Sequence, residues 1–165
     1  KNERKNRNIL MDGKNPAGGK LTFDAENRKK YPKSKIPPSI QFPETTKHHK
    51  EAVEYVNQNF HGNYGDLNDF IVNPISFTTS EEWLQQFFEI RFHEFGAYED
   101  AIVKEENFLN HSLLSPLINV GLLDPLEVIE KAIDFAHALQ HQLFINALEV
   151  DDKALYHTFY YLTIT

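Results

Sequence analysis

Between residues 46 and 146 the apolar side chains recur at helical spacing, and the runs are separated by glycine, proline and asparagine. The first run, Lys47 to Phe60, puts Ala52, Val53, Tyr55, Val56 and Phe60 mainly on one side and stops at His61-Gly62-Asn63-Tyr64-Gly65. A loop through Pro74 follows. Thr79-Ser80-Glu81-Glu82 then reads as a capping box, with Thr79 holding an amide of the first turn and Glu82 reaching back to the Thr79 amide. It opens a helix whose Trp83, Leu84, Phe87, Phe88, Phe92 and Phe95 form a broad aromatic stripe ending at Gly96. A stripe of that kind is core. A short acidic helix over 99–105 is expected next, and then a longer one over 108–121 with Leu109, Leu113, Leu114, Leu117, Ile118 and Val120 as its apolar face. On the other side of that helix His111, Ser112, Ser115 and Asn119 fall close together. Pro116 removes an amide donor there and frees the Ser112 carbonyl, so a kinked, hydroxyl-bearing helix side is expected. Finally Asp124 caps a helix with Pro125 at its first position, and Leu126, Ile129, Ile133, Ala136 and Leu139 carry the stripe. No hairpin pattern competes, so the fold class is mainly α.

Charge changes the picture at the other end. Residues 1–35 hold eleven basic side chains and four acidic ones, a segment charge of +7 in a chain whose net charge is −7. Gly13, Pro16, Gly18, Gly19 and Pro32, then Pro37, Pro38 and Pro43, punctuate the same region, which reads as an irregular basic arm over 1–45. Such an arm can follow a phosphate backbone, although the whole surface is too acidic for nonspecific nucleic-acid binding. A solvated tail without a ligand is the plainer reading. A chain of 165 residues is one domain's worth and can bury a core without disulfides or metal. There is no apolar run approaching a bilayer span and no signal peptide behind Lys1, and the chain has no cysteine, which together fit a cytoplasmic protein.

The common chemical motifs are missing. His137 and His141 sit at i, i+4, but Ala138 stands where a metalloprotease pair would need glutamate, and no third ligand is evident, so no metal is expected. The rings of His48 and His49 diverge on a helix and are read as a solvated face, and Asp24 and Glu26 beside Arg28-Lys29-Lys30 as charge partners. No phosphate-cradling glycine loop and no nucleophile elbow occur, and no catalytic residue is assigned.

Several separated strings, in order, resemble the photolyase/cryptochrome family, and within it the photolyase-related branch of bacterial iron-sulfur cryptochromes and photolyases. They are Arg4-Lys5-Asn6-Arg7 with Met11-Asp12-Gly13, Gly18-Gly19-Lys20 with Phe23-Asp24-Ala25-Glu26-Asn27-Arg28, Phe95-Gly96-Ala97-Tyr98-Glu99-Asp100-Ala101-Ile102, Asn107-Phe108-Leu109-Asn110-His111-Ser112-Leu113-Leu114-Ser115-Pro116, and Asn119-Val120-Gly121-Leu122-Leu123-Asp124-Pro125. The resemblance implies that residues 46–146 are the N-terminal part of a helical FAD-binding domain, with Tyr98, His111, Ser112, Leu114, Ser115 and Asn119 toward the flavin. It also implies that the arm is an interdomain linker near UV-damaged DNA, with Arg4, Lys5, Arg7, Lys20, Arg28, Lys29 and Lys30 on phosphates. His111 stands where other branches carry threonine, and Leu21 where tryptophan is expected.

The implied activity is light-driven repair of pyrimidine dimers, of the (6-4) type, by electron transfer from reduced FAD. An iron-sulfur cluster and an antenna chromophore are implied only for an intact relative. The resemblance covers the middle third of such a protein, and residues 147–165 diverge into an aromatic tail, so the chain is expected to be a piece of a longer one, inactive in repair by itself and prone to self-association. Two alternatives stay open: a photosensory cryptochrome without repair activity, and a non-flavin helical interaction module in which Ser112, Ser115 and Asn119 are only a polar stripe.

Overall fold

The computed structural model describes residues 11–16, 19, 29–65, 67 and 73–145, with the backbone alone for 140–145. Arg4, Lys5, Arg7, Lys20 and Arg28, and the tail over 147–165, lie outside the described residues. Near the start, β1 (Met11–Asp12) pairs antiparallel with β2 (Asn15–Pro16), Met11 opposite Pro16 and Asp12 opposite Asn15. Gly13, at φ +59, turns the chain between them. The rest is helical: α1 (Lys47–Asn59), α2 (Phe77–Ile90), α3 (Phe92–Tyr98), α4 (Ser115–Asn119) and α5 (Pro125–Ile145). The expectation of a mainly α fold holds.

The aromatic stripe is the core, but it is carried by two helices and not one. Trp83, Leu84, Phe87 and Phe88 from α2 and Phe92 and Phe95 from α3 are all buried, and the helix breaks between them at Arg91, where φ is −118°. Both sides of the break reach one cluster. Phe87 meets Phe92 and Phe95 edge-on at 5.8 and 5.4 Å, while Phe135 of α5 stacks on Phe88 at 5.4 Å and meets Phe92 edge-on at 5.7 Å. Gly96, expected to end the helix, is buried inside α3. The start also moves. Ser76 is the cap: its Oγ accepts the Thr79 amide at 3.2 Å and Thr79 Oγ1 accepts the Ser76 amide at 3.3 Å, so the box is Ser76/Thr79 and the helix begins before the expected Thr79/Glu82 pair. At α5 the expected cap forms, with Asp124 Oδ1 accepting the Leu126 and Glu127 amides at 2.7 and 3.2 Å. Its most buried face is Val128, Ala132 and Ala136, flanked by the partly buried Ile133, Phe135 and Leu139, so the stripe lies slightly around the helix from the one read in the sequence.

Two expected helices do not form as drawn. Over 99–105 the chain makes separate turns, the Ala101 amide returning to the Tyr98 carbonyl and the Glu106 amide to the Val103 carbonyl, while Ala101 is buried against Tyr31 and Leu109. Over 108–121 only α4 is helical. Pro116 is in its first turn, where the missing amide has no partner to lose, so it opens a helix instead of kinking one. The spacing of His111, Ser112, Ser115 and Asn119 along one helix side is therefore not what places them.

Helix α1 spans the expected residues, yet little of it is buried. Tyr55 and Phe60 stay exposed and pair with each other at 6.1 Å. The one buried side chain is His49, which was read as solvated; its Nδ1 accepts the Thr46 amide at 2.9 Å, closing the helix start, while His48 remains exposed beside Glu51. The later part of the arm is irregular but docked. Tyr31 is buried, Ile40 and Phe42 pack on the main cluster, and the Gln41 backbone exchanges two hydrogen bonds with the Gln86 side chain at 3.0 and 2.9 Å.

Candidate functional site

The segment from Asn107 to Asn119 is fixed at points along its length and open between them. Leu109 is buried in a small cluster with Tyr31 and Ala101, and Leu114 and Leu117 are buried against the aromatic core. Between these anchors Leu113 sits at φ +59, a left-handed conformation uncommon for leucine, and its carbonyl accepts the Trp83 indole N–H at 3.2 Å. The Leu114 carbonyl accepts the Leu117 and Ile118 amides at 3.0 Å each, which starts α4. Ser112 is half-buried and Ser115 exposed, and neither hydroxyl has a hydrogen-bond partner among the described residues. Hydroxyls that the fold leaves unused can both donate to and accept from a ligand.

His111 is held by the backbone on both sides of its ring. Its Nδ1 accepts the Leu109 amide at 3.2 Å, and a backbone hydrogen bond to Glu99 joins it to the corner beside Tyr98. Burial pushes its pKa below the ordinary value; the Glu99 bond opposes that push and the nearby Arg91 adds to it. Arg91 is fully buried. Its Nη1 donates to Gln86 Oε1 at 3.3 Å, its Nε and Nη2 have no partner among the described residues, and the guanidinium lies 5.8 Å from the Trp83 ring and 5.7 Å from the Phe87 ring. Burial lowers its pKa to about 10.

Around the corner, Tyr98 is half-buried and meets Tyr31 at 5.0 Å, with the Lys35 ammonium 5.8 Å from its ring. Lys35 Nζ contacts Glu94 Oε1 at 2.6 Å, and that bond raises the lysine's pKa. The other Glu94 oxygen accepts Asn110 Nδ2 at 3.5 Å, at the limit of a hydrogen bond. Burial raises the pKa of Tyr31, whose hydroxyl has no partner among the described residues.

Of the residues singled out from the sequence, Ser112, Leu114 and Ser115 lie on one short segment, and His111 ties that segment to the Tyr98 corner. Asn119 is exposed at the far end of α4. Lys29 and Lys30 are exposed, and the Lys29 amide donates to the Ala97 carbonyl at 3.2 Å, one residue from Tyr98. Sequence reasoning missed Trp83 and Arg91 as groups that shape this region. Arg91 had a signal, since it falls four residues after Phe87 and four before Phe95 and so faces the core. Leu113 had none, because leucine carries no preference for a left-handed backbone. A groove of about 940 Å³ between Gln41–Thr46 and α2 is a separate feature: Glu44, Glu81, Glu82 and Glu89 line it, a poor setting for a phosphate.

The chain is 37% identical over 129 residues to a (6-4) photolyase of Agrobacterium fabrum, an alignment covering 78% of this chain and 25% of that protein. Residues 1–72 match the family of deoxyribodipyrimidine photo-lyase-related proteins. Both matches make the chain similar to photolyase-related proteins. A further similar protein is an uncharacterized protein of Acanthamoeba polyphaga mimivirus, 49% identical over 37 residues, which are 22% of this chain and 29% of that protein. The chain thus spans between a quarter and a third of the curated relatives it matches. No described helix is long and apolar enough to cross a membrane.

Proposed function

We propose that this chain contributes one wall of a flavin pocket and a DNA-facing surface to light-driven repair of UV-damaged DNA, of the (6-4) kind. The observation that carries the reading is the pair of hydroxyls, Ser112 and Ser115, without a partner among the described residues and held on the buried Leu114 and Leu117. The donor set suits the phosphates and ribityl chain of FAD. Two hydroxyls, the Asn119 amide and the Tyr98 phenol offer small polar groups without a carboxylate among them, and the buried Arg91 charge near His111 favours an anion close by. His111 serves in this reading as a brace, because both sides of its ring are engaged by backbone. The chemistry that a bound flavin supplies is light-driven electron transfer to a damaged pyrimidine pair. This chain's part is to bind and orient: Tyr98, Ser112, Leu114, Ser115 and Asn119 toward the flavin, and Lys29 and Lys30 with Arg4, Lys5, Arg7, Lys20 and Arg28 toward DNA phosphates, where they position without reading sequence.

The test is the visible spectrum of the purified chain after incubation with excess FAD and removal of free ligand. Retained flavin bands, lost in Ser112→Ala/Ser115→Ala, are the expected result. A colourless wild-type protein, or bands that survive the double substitution, overturns the assignment of these residues.

A further inference from the structure

We infer that Trp83 is a positioning residue: its indole N–H holds the Leu113 carbonyl, and this bond keeps Leu113 left-handed so that Ser112 and Ser115 present their hydroxyls from one fixed segment. The inference takes its ligand from the flavin reading above, but its first readout does not depend on that reading. Three observations lead to it. Leu113 is the one non-glycine residue with positive φ among the described residues, at +59°. A left-handed backbone is disfavoured for leucine, so some interaction present only in the folded chain must offset that preference. The candidate is at hand, since Trp83 Nε1 donates to the Leu113 carbonyl at 3.2 Å from a ring that is only 2% exposed and cannot turn away without leaving the core. Directly after Leu113, Leu114 is buried and its carbonyl starts α4. Ser112 lies just before the held carbonyl and Ser115 two residues after it, so a change at φ of Leu113 swings one hydroxyl against the other.

Trp83 is the chain's single tryptophan, which makes a clean perturbation possible. Replacing it biosynthetically with benzothienylalanine keeps the ring's shape and removes only the N–H; Trp83→Phe is the encoded counterpart. In the full chain, NMR couplings sensitive to φ at Leu113 and amide relaxation at Ser112 to Ser115 are expected to change in both, showing a segment released from one conformation. Unchanged couplings in the benzothienyl protein overturn the inference whether or not flavin binds. The second readout is FAD affinity, expected to weaken about tenfold as the competent conformation is depopulated. In a Leu113→Gly background, where a left-handed backbone needs no clamp, the same replacement is expected to change affinity less than about twofold. Equal losses in both backgrounds, tracking the drop in melting temperature, would mean that Trp83 acts only through core packing and would overturn the positioning role. A wild-type chain that binds no FAD defeats the proposed function alone, and the conformational readout then decides about Trp83.

Discussion

Replacing Arg91 with methionine should make this protein more stable, against the usual expectation for a buried side chain. Its guanidinium is removed from water with, among the described residues, a single hydrogen bond, a long one of 3.3 Å to Gln86, and no partner for Nε or Nη2. The lowering of its pKa by burial, to about 10, reflects the same burden and corresponds to about 3 kcal/mol of preference against the charged form. Counting the unpaired donors gives a similar figure, about 1–3 kcal/mol each, and the two routes describe one penalty. Set against it are the Gln86 bond, about 1 kcal/mol, and the rings of Trp83 and Phe87, which contribute about 1 kcal/mol between them. Methionine keeps much of the buried stem and introduces no polar group to desolvate. The balance is a gain of about 1 kcal/mol in urea unfolding with an unchanged m-value, or a rise of about 2–4 °C in melting temperature. Arg91→Ala should instead lose about 2 kcal/mol or more, since it deletes the stem and leaves a cavity. A loss above about 1 kcal/mol in Arg91→Met, with m unchanged, would refute the reasoning by showing that the charge stabilises the fold through its neighbours.

Two further predictions follow from the same geometry. Ser76→Ala should cost about 1 kcal/mol by removing the cap of α2, whereas Glu82→Gln should leave urea unfolding essentially unchanged, because Glu82 is outside the first-turn box; reversed results would restore the box read from the sequence. His111 has a depressed folded pKa, so below its ordinary value of 6.5 the unfolded chain takes up a proton that the folded chain resists, and stability should fall as pH drops from that value through the folded one. His111→Gln should flatten that part of the stability-pH profile, and an unaltered slope would count against the depressed value.

How much of this was legible in the sequence depends on whether local or distant contacts decide. The aromatic stripe, the Asp124 cap and the extent of α1 follow from periodicity and capping alone, and all three are in the structure. The break at Arg91 is different, since any single window favours continuing the helix and only the joint demand of Phe88, Phe92 and Phe135 on one cluster rewards a corner. The loop through 107–114 was misread for a related reason. Its polar groups pair with side chains and with distant elements, as in Leu109 N–H to His111, Asn110 to Glu94 and the Trp83 indole to the Leu113 carbonyl, and such partners leave no periodic trace. The candidate site was therefore visible as a set of residue types, while the means of placing it was not.

The docking of the arm changes what a ligand would have to do there. From Lys29 the backbone is already tied to Ala97, and Tyr31, immediately beyond Lys30, is locked beneath the surface against Tyr98. A freely moving tail surrenders roughly 1–2 kcal/mol per residue when it is ordered on a polyanion. At residues 29–31 that entropy is surrendered during folding, so two lysine charges stand at a set location beside the Tyr98 corner before any partner arrives.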